Sequence, residues 1–159
     1  MTLALPRRLA LALPVAAALL ATLPLVPRAE GTLPPPAVER PARTPSPAGA
    51  RVYLISPAPG ETVTSPVLVR FGLSGMGVAP AGVQLPNTGH YHLIIDSPLP
   101  GLDQPIPTDG QHVHYGSGLT EVKLELPPGP HTLQILLGDD RHIPHDPALY
   151  SEPIAITVQ

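Results

Sequence analysis

The clearest alternation of apolar and polar side chains lies in TEVKLEL, residues 120–126. Val122, Leu124 and Leu126 occupy every second position, and charged residues fill two of the positions between them. Successive side chains of a strand point to opposite faces of a sheet, so this pattern predicts a strand with one buried and one exposed face. Further short apolar segments bounded by Pro, Gly or Asp predict more strands at 51–56, 66–73, 90–96, 131–139 and 152–158.

These segments follow one another at short intervals, with turn residues between them. Pro57-Ala58-Pro59-Gly60 and Pro127-Pro128-Gly129 are strong turn signals, and residues 74–89 are rich enough in Gly and Pro to predict a loop. No segment after residue 50 has the apolar period of a helix. The pattern predicts an all-β, immunoglobulin-like β-sandwich of about six to eight short strands over residues 51–159.

The amino-terminal third has a different pattern. Arg7 and Arg8 precede an uncharged apolar run over residues 9–26, which is typical of a secretory signal peptide. Pro27 is a poor match to a small-residue cleavage site before residue 30, so an uncleaved N-terminal anchor is the rival interpretation. We therefore expect residues 1–29 to be a signal peptide or anchor, and the protein to be periplasmic or otherwise exported. Residues 30–50 are predicted to be a Pro-rich disordered linker.

Composition and charge narrow the class of function. The chain has 25 Pro and no Cys, which excludes a disulfide framework and thiolate metal sites. Residues 51–159 contain four Lys and Arg against ten Asp and Glu, a balance of −6. Nucleic-acid binding requires clustered cations, so no nucleic-acid partner is expected. Contact with a membrane is expected only through an uncleaved N-terminal segment, and the sequence identifies no protein partner.

All seven histidines lie between residues 90 and 145, six of them in three close pairs. Residues two apart on a strand project to the same face, roughly 6.5–7 Å apart, so each His-x-His pair can direct two imidazoles to one side. Imidazole with carboxylate suits Zn²⁺ or Cu²⁺, whereas Cu⁺ would require sulfur ligands. The candidate metal ligands are His90, His92, His112, His114, His142 and His145, with Asp96 as the supporting carboxylate.

The remaining histidine has a structural interpretation. His131 follows a Pro-Gly-Pro turn and is in phase with the apolar residues of segment 131–139, so we expect it at the edge of the core. Asp109, Asp139, Asp140 and Asp146 are further carboxylates that could bind a metal or orient the histidine rings.

Several ordered motifs together resemble one known family. From FGLSGMGV (71–78), through GHYHLIID (89–96), PIPTDGQHVHYGSGLTE (105–121) and PGPHTLQILLGD (128–139), to HIPH (142–145), the chain is similar to the bacterial domain of unknown function 4399. The resemblance covers residues 66–158 and includes all six candidate histidines and Asp96. It implies an exported or periplasmic bacterial domain with no assigned biochemical role.

No catalytic motif is present. The chain lacks a G-x-S-x-G nucleophile elbow and an H-E-x-x-H zinc motif, so we expect no enzyme activity. The leading hypothesis is an exported β-sandwich that binds Cu²⁺ or Zn²⁺ through paired histidines. The alternative is a metal-free structural or interaction module of the cell envelope. A lesser alternative is a copper-dependent redox protein, because His-x-His on a β-sandwich looks in outline like copper–zinc superoxide dismutase, although the spacing and the missing cysteines depart from that family.

Overall fold

The computed structural model describes residues 42–159, which form strands connected by turns and loops. The predicted signal peptide or anchor, and residues 30–41 of the predicted linker, lie outside the described residues. Within this part of the chain, no helix is long and apolar enough to cross a membrane. The strands are β1 (Arg51–Ser56), β2 (Thr62–Val63), β3 (Val67–Ser74), β4 (Gly77–Val78), β5 (Thr88–Ile95), β6 (His112–Tyr115), β7 (Glu121–Leu124), β8 (Gly129–Gly138) and β9 (Ile154–Val158).

The strands form two sheets. The smaller sheet has the order β1-β3-β7, and the larger has the order β2-β9-β8-β5-β4, with β6 also paired to β5. The prediction of an all-β sandwich is confirmed, and each predicted apolar segment contains an observed strand. The nine described strands outnumber the six predicted segments by β2, β4 and β6. β2 and β4 have two residues each, which is too short to leave an alternating pattern, and β4 lies in the segment predicted to be a loop. β6 has four residues, only two of them apolar.

Aliphatic side chains from both sheets fill the core between them. Phe71 of β3 is the central aromatic residue, with its ring centroid 4.8 Å from that of Tyr91 and 5.5 Å from that of Tyr115. Leu133, Ile135 and the other inward residues of the larger sheet pack in the same cluster. Full burial of such a side chain contributes about 1.5–3 kcal/mol, so this core is the main source of stability.

Strand β5 is buried on both of its faces. Tyr91, Leu93 and Ile95 face the smaller sheet. His90, His92 and Ile94 lie on the outer face of the larger sheet. On that outer face, Ile94 packs with Leu136 and Ile106 in a small second apolar cluster. The loop of residues 96–111 covers this cluster, and the histidines therefore lie beneath loops rather than in the sandwich core.

The folded unit begins before residue 51. Arg43 donates hydrogen bonds to the carbonyl oxygens of Pro144 and His145. The amide of Asp146 donates to the Thr44 carbonyl, and the Ser46 amide donates to the Asp146 carbonyl. Residues 43–46, which we call the N-terminal strap, thus pair with the loop after β8. The sequence places these residues in the linker because they have no apolar period, but backbone and side-chain hydrogen bonds order them.

Candidate metal centre

Four histidine rings form one cluster on the outer face of the larger sheet. His90 and His92 come from β5, His114 from β6, and His142 from the loop that follows β8. The six distances between their ring centroids run from 4.7 Å to 5.7 Å, so every ring contacts the other three. The two rings from β5 are fully buried, whereas His114 and His142 are half-buried. One side of the cluster is therefore closer to solvent.

Strand register brings three of these histidines together. His92 is directly opposite His114 in the antiparallel β5–β6 pair, and His90 is opposite Gly138 in the β5–β8 pair. A Cβ atom at Gly138 would lie 3.1 Å from His92 Nε2 and 3.2 Å from Ile106 Cδ1. A Cβ at Gly116 would overlap the ring of His114. Both glycines therefore leave space that the imidazole rings occupy.

The fourth histidine is held by an unusual loop. His142 has a φ of 66°, in the left-handed region that a residue with a Cβ seldom adopts. Its amide donates to the Asp139 carbonyl at 2.9 Å, and its carbonyl accepts from the Ile106 amide at 2.8 Å. Within this loop, Asp139 Oδ1 accepts from the amides of Arg141 and Ile143, each at 2.9 Å. These bonds fix the backbone from which the His142 ring reaches the cluster.

The ring nitrogens are spaced as metal ligands would be. His90 Nε2 and His92 Nε2 are 3.1 Å apart. Two nitrogens bound to one Zn²⁺ at about 2.0–2.1 Å are separated by roughly 2.9 Å at a right angle and 3.4 Å in a tetrahedron. One ring nitrogen from each of His90, His114 and His142 lies within 4.8 Å of the other two. His92 is not one of these three residues, and its inclusion in the site rests on the 3.1 Å contact of its Nε2 with His90 Nε2.

Three of the four rings have a buried nitrogen without a hydrogen-bond partner in the described chain. These atoms are His90 Nδ1, His92 Nδ1 and His114 Nε2. An unpaired buried polar atom costs about 1–3 kcal/mol, so such groups are rare in native proteins. Two further buried nitrogens without a partner, His112 Nε2 and His145 Nδ1, belong to histidines outside the cluster, so among the four rings His114 Nε2 is the unpaired atom that could face a shared ligand.

Burial and mutual repulsion lower the pKa of three of the four rings, His90, His92 and His114. Burial, followed by the charges that His142 and His114 would carry, lowers the pKa of His90 to about 4. Burial, followed by His90 and His114, lowers the pKa of His92 to about 2. The pKa of His114 is also lowered, by burial and by His142. At neutral pH these imidazoles have free lone pairs, which is the protonation state that binds metal.

The structure does not bring His112 or His145 into this cluster. His112 Nδ1 is 2.9 Å from Asp109 Oδ1, which leaves its buried Nε2 without a partner among residues 42–159. His145 is fully buried, and its Nε2 donates to the Thr88 carbonyl at 3.2 Å. Both histidines lie near the four rings along the chain, but each already has a defined hydrogen bond.

Asp96 lies at the opposite end of β5 from His90. Its carboxylate is 2.7 Å from His131 Nδ1 and 2.7 Å from the Thr132 amide. His131 Nε2 donates to the Pro127 carbonyl at 2.9 Å, so this ring has the structural role expected of it. The hydrogen bond to Asp96 raises the pKa of His131. The structure thus places the candidate supporting carboxylate in a separate surface pair.

Asp139 is the carboxylate whose charge acts on His90, and the sequence offers it only as one of several acidic residues. Its side chain is 1% exposed, and its negative charge raises the pKa of His90, although burial and the other histidines outweigh this effect. Gly138, immediately before it, leaves room for the His92 ring, and the sequence pattern did not predict this role either. Gly138 is the last residue of the apolar strand β8, and a glycine in a strand is a recognised signal of close approach, so the sequence contains a signal for its role.

The fold and the site define an all-β, two-sheet domain with a buried four-histidine cluster on its larger sheet. The chain belongs to the family described as Domain of unknown function (DUF4399), whose model matches residues 69–159. No curated protein and no solved structure matches the chain. The matched residues include all four clustered histidines but exclude β1, β2 and the N-terminal strap.

Proposed function

We propose that this protein is an exported, non-enzymatic domain that binds one divalent metal ion, Zn²⁺ or Cu²⁺, through His90, His92, His114 and His142. The observation that carries the proposal is the mutual contact of the four rings, with no centroid distance above 5.7 Å. Like-charged groups do not gather in a buried site, so the cluster requires neutral rings. Neutral imidazoles converging on one point are suited to a shared cation.

The ligand type supports Zn²⁺ or Cu²⁺ over other ions. Both accept imidazole nitrogen, whereas Mg²⁺ and Ca²⁺ prefer oxygen ligands. A set of four protein ligands is typical of structural zinc sites, and catalytic zinc sites usually have three and keep one position for water. Four imidazoles therefore favour retention of the ion over catalysis. A bound ion would also give a partner to His114 Nε2, which has none in the described chain.

Export is the second part of the proposal. Arg7, Arg8 and the apolar run over residues 9–26 support a signal peptide or anchor, and the resemblance to an exported bacterial family agrees with it. The folded residues have more acidic than basic side chains, which supports partners other than nucleic acids.

A metal-free structural module is the competing function. The observation that favours it is that His112, His131 and His145 already bind carboxylates or backbone carbonyls. Under this alternative the four clustered rings are packing groups that stabilise the loops over the larger sheet. The two functions differ in metal content and in what a histidine substitution changes.

The test is a metal titration of the full chain purified without an affinity tag. Competition against a chromogenic chelator would give the stoichiometry and affinity for Zn²⁺ and Cu²⁺. We expect one ion per chain in the unmodified protein and none at matched concentration in a His90→Ala, His92→Ala double variant. The matched control is His131→Ala, which removes a histidine outside the cluster. Binding that is absent from the unmodified protein, or equal in the double variant, would reject the proposal.

A further inference from the structure

A single buried carboxylate connects the metal-binding loop to the N-terminal strap. Asp139 Oδ2 accepts a hydrogen bond from Thr44 Oγ1 at 2.7 Å, while Oδ1 accepts from two amides of the His142 loop. Arg141 Nη2 also binds Oδ2 at 3.1 Å. Of these donors, only Thr44 comes from a distant part of the sequence. The hydroxyl of Thr44 therefore joins residues that are 95 positions apart.

Arg43 holds the other end of the same loop. Its guanidinium binds the carbonyls of Pro144 and His145 and lies 3.4 Å from Asp146 Oδ1. The two carbonyls and the carboxylate are all within four residues of His142. Together, Arg43 and Thr44 contact the loop on both sides of the histidine, at Asp139 before it and at residues 144–146 after it.

We propose that Thr44 and Arg43 are positioning residues for the metal centre, which hold His142 at the place of the fourth ligand. This inference rests on the proposed function. The left-handed backbone at His142 is unfavourable for a residue with a side chain, so the surrounding contacts have to maintain it. The three other ligands lie on paired strands, whose ladders fix them without help. His142 is the ligand that needs external support.

The proposal makes the strap a part of the metal site. The family match begins at residue 69, so the strap lies outside the unit that the family model describes. Metal affinity in this protein should accordingly depend on residues that do not contact the ion and precede the sandwich.

A double-mutant cycle in the full chain tests this inference. Thr44→Val removes the hydroxyl at nearly constant shape, Thr44→Ser restores it, and His142→Ala removes the fourth ligand. Thr132→Val is the matched control, because the Thr132 hydroxyl faces the Asp96 carboxylate at 3.4 Å, at the other end of β5. Zn²⁺ affinity would be measured for each variant and for the Thr44→Val, His142→Ala double variant.

We expect Thr44→Val to lower Zn²⁺ affinity roughly tenfold or more, as loss of an orienting partner usually does, with Thr44→Ser and Thr132→Val close to the unmodified protein. In the His142→Ala background, Thr44→Val should cost no further affinity, because the residue it positions is gone. An equal loss in both backgrounds, or no loss in either, would overturn the inference and leave the proposed function intact. A lack of Zn²⁺ binding by the unmodified protein would overturn both.

Copper spectroscopy separates positioning from general destabilisation. In the Cu²⁺-loaded protein, nitrogen hyperfine structure reports how many imidazoles bind. Thr44→Val should shift this spectrum towards that of His142→Ala. A spectrum identical to that of the unmodified protein, with only a lower melting temperature, would show that Thr44 is structural and would contradict the assignment.

Discussion

The Nε2 atoms of His90 and His92 lie 3.1 Å apart, although their positions on β5 are separated by about 6.5–7 Å. The two rings thus converge instead of standing parallel on the sheet surface. Space for this convergence comes from Gly138, whose missing side chain leaves room beside His92. His142, from the loop after β8, contacts both rings, with centroid distances of 4.9 Å and 5.7 Å. This geometry is the basis of the proposed metal site.

The two histidines of β6 are predicted to differ in their effect on metal binding. His114→Ala should lower Zn²⁺ affinity by more than the roughly 10–100-fold typical of lost supporting residues, because it removes a ligand. His112→Ala should change affinity by less than about tenfold, because its ring binds Asp109 outside the cluster. Chelator competition on the two variants is the measurement. Equal losses would show that His112 belongs to the ligand set.

A single methyl group at Gly138 is predicted to disturb the site. In Gly138→Ala the new Cβ would lie 3.1 Å from His92 Nε2, which is closer than ordinary van der Waals contact, so the ring has to move. We expect weaker Zn²⁺ binding in isothermal titration. Gly110→Ala is the matched control, since a Cβ there meets nothing within 4 Å. Unchanged affinity in Gly138→Ala would mean that the ring position is not critical.

Strand periodicity predicts a large part of this site. The alternation in GHYHLIID and QHVHYG correctly orients His90 with His92 and His112 with His114, because the side-chain period of a strand is two. The same reasoning cannot tell which sheet face is outward, since β5 is buried on both faces. His112 lies outside the cluster for a local reason, because its ring is hydrogen-bonded to Asp109, three residues before it.

Contacts between segments that are far apart in the chain are the features of the site that the sequence does not predict. His142 reaches the cluster through a left-handed backbone and through Asp139, neither of which leaves a periodic signal. The N-terminal strap is Pro-rich and polar, so composition alone assigns it to a linker. Asp96 is close to the His-x-His pair in sequence, but β5 carries it to the opposite end of the sheet, where His131 binds it.

The metal-free protein is predicted to lose stability as the pH falls below about 6.5. The folded pKa values of His90 and His92, about 4 and about 2, are lower than that of an unfolded histidine. Between about pH 6.5 and about pH 4 the unfolded chain therefore binds protons that the folded chain does not, and unfolding becomes easier. Urea unfolding in the presence of a chelator at about pH 7.5 and about pH 5 measures this.

The contribution of His131 to folding stability depends on pH in the opposite direction. Its pKa is raised by Asp96, so its stabilising contribution is complete below about pH 6.5 and is lost as the pH rises through the folded value. More histidines have a lowered pKa than a raised one. The free energy of unfolding of the whole protein should therefore decrease as the pH falls. A metal-free protein that is more stable at about pH 5 than at about pH 7.5 would contradict the assignment of neutral rings to the cluster.

His131→Ala is predicted to lower stability without affecting metal. The variant removes hydrogen bonds to Asp96 and to the Pro127 carbonyl. Because Asp96 is partly exposed, we expect a loss of about 1 kcal/mol in the free energy of unfolding. Thermal or urea unfolding measures the loss, and Zn²⁺ titration of the same sample should match the unmodified protein. A reduced metal affinity would place His131 and Asp96 in the site.

X-ray absorption of the full chain loaded with one equivalent of Zn²⁺ tests the central claim most directly. Four imidazole ligands predict a single shell of nitrogen at about 2.0–2.1 Å, with the multiple scattering that imidazole rings produce. In His114→Ala the imidazole scattering should fall by one quarter. A shell dominated by oxygen, or a His114→Ala spectrum identical to that of the unmodified protein, would contradict a four-histidine metal centre.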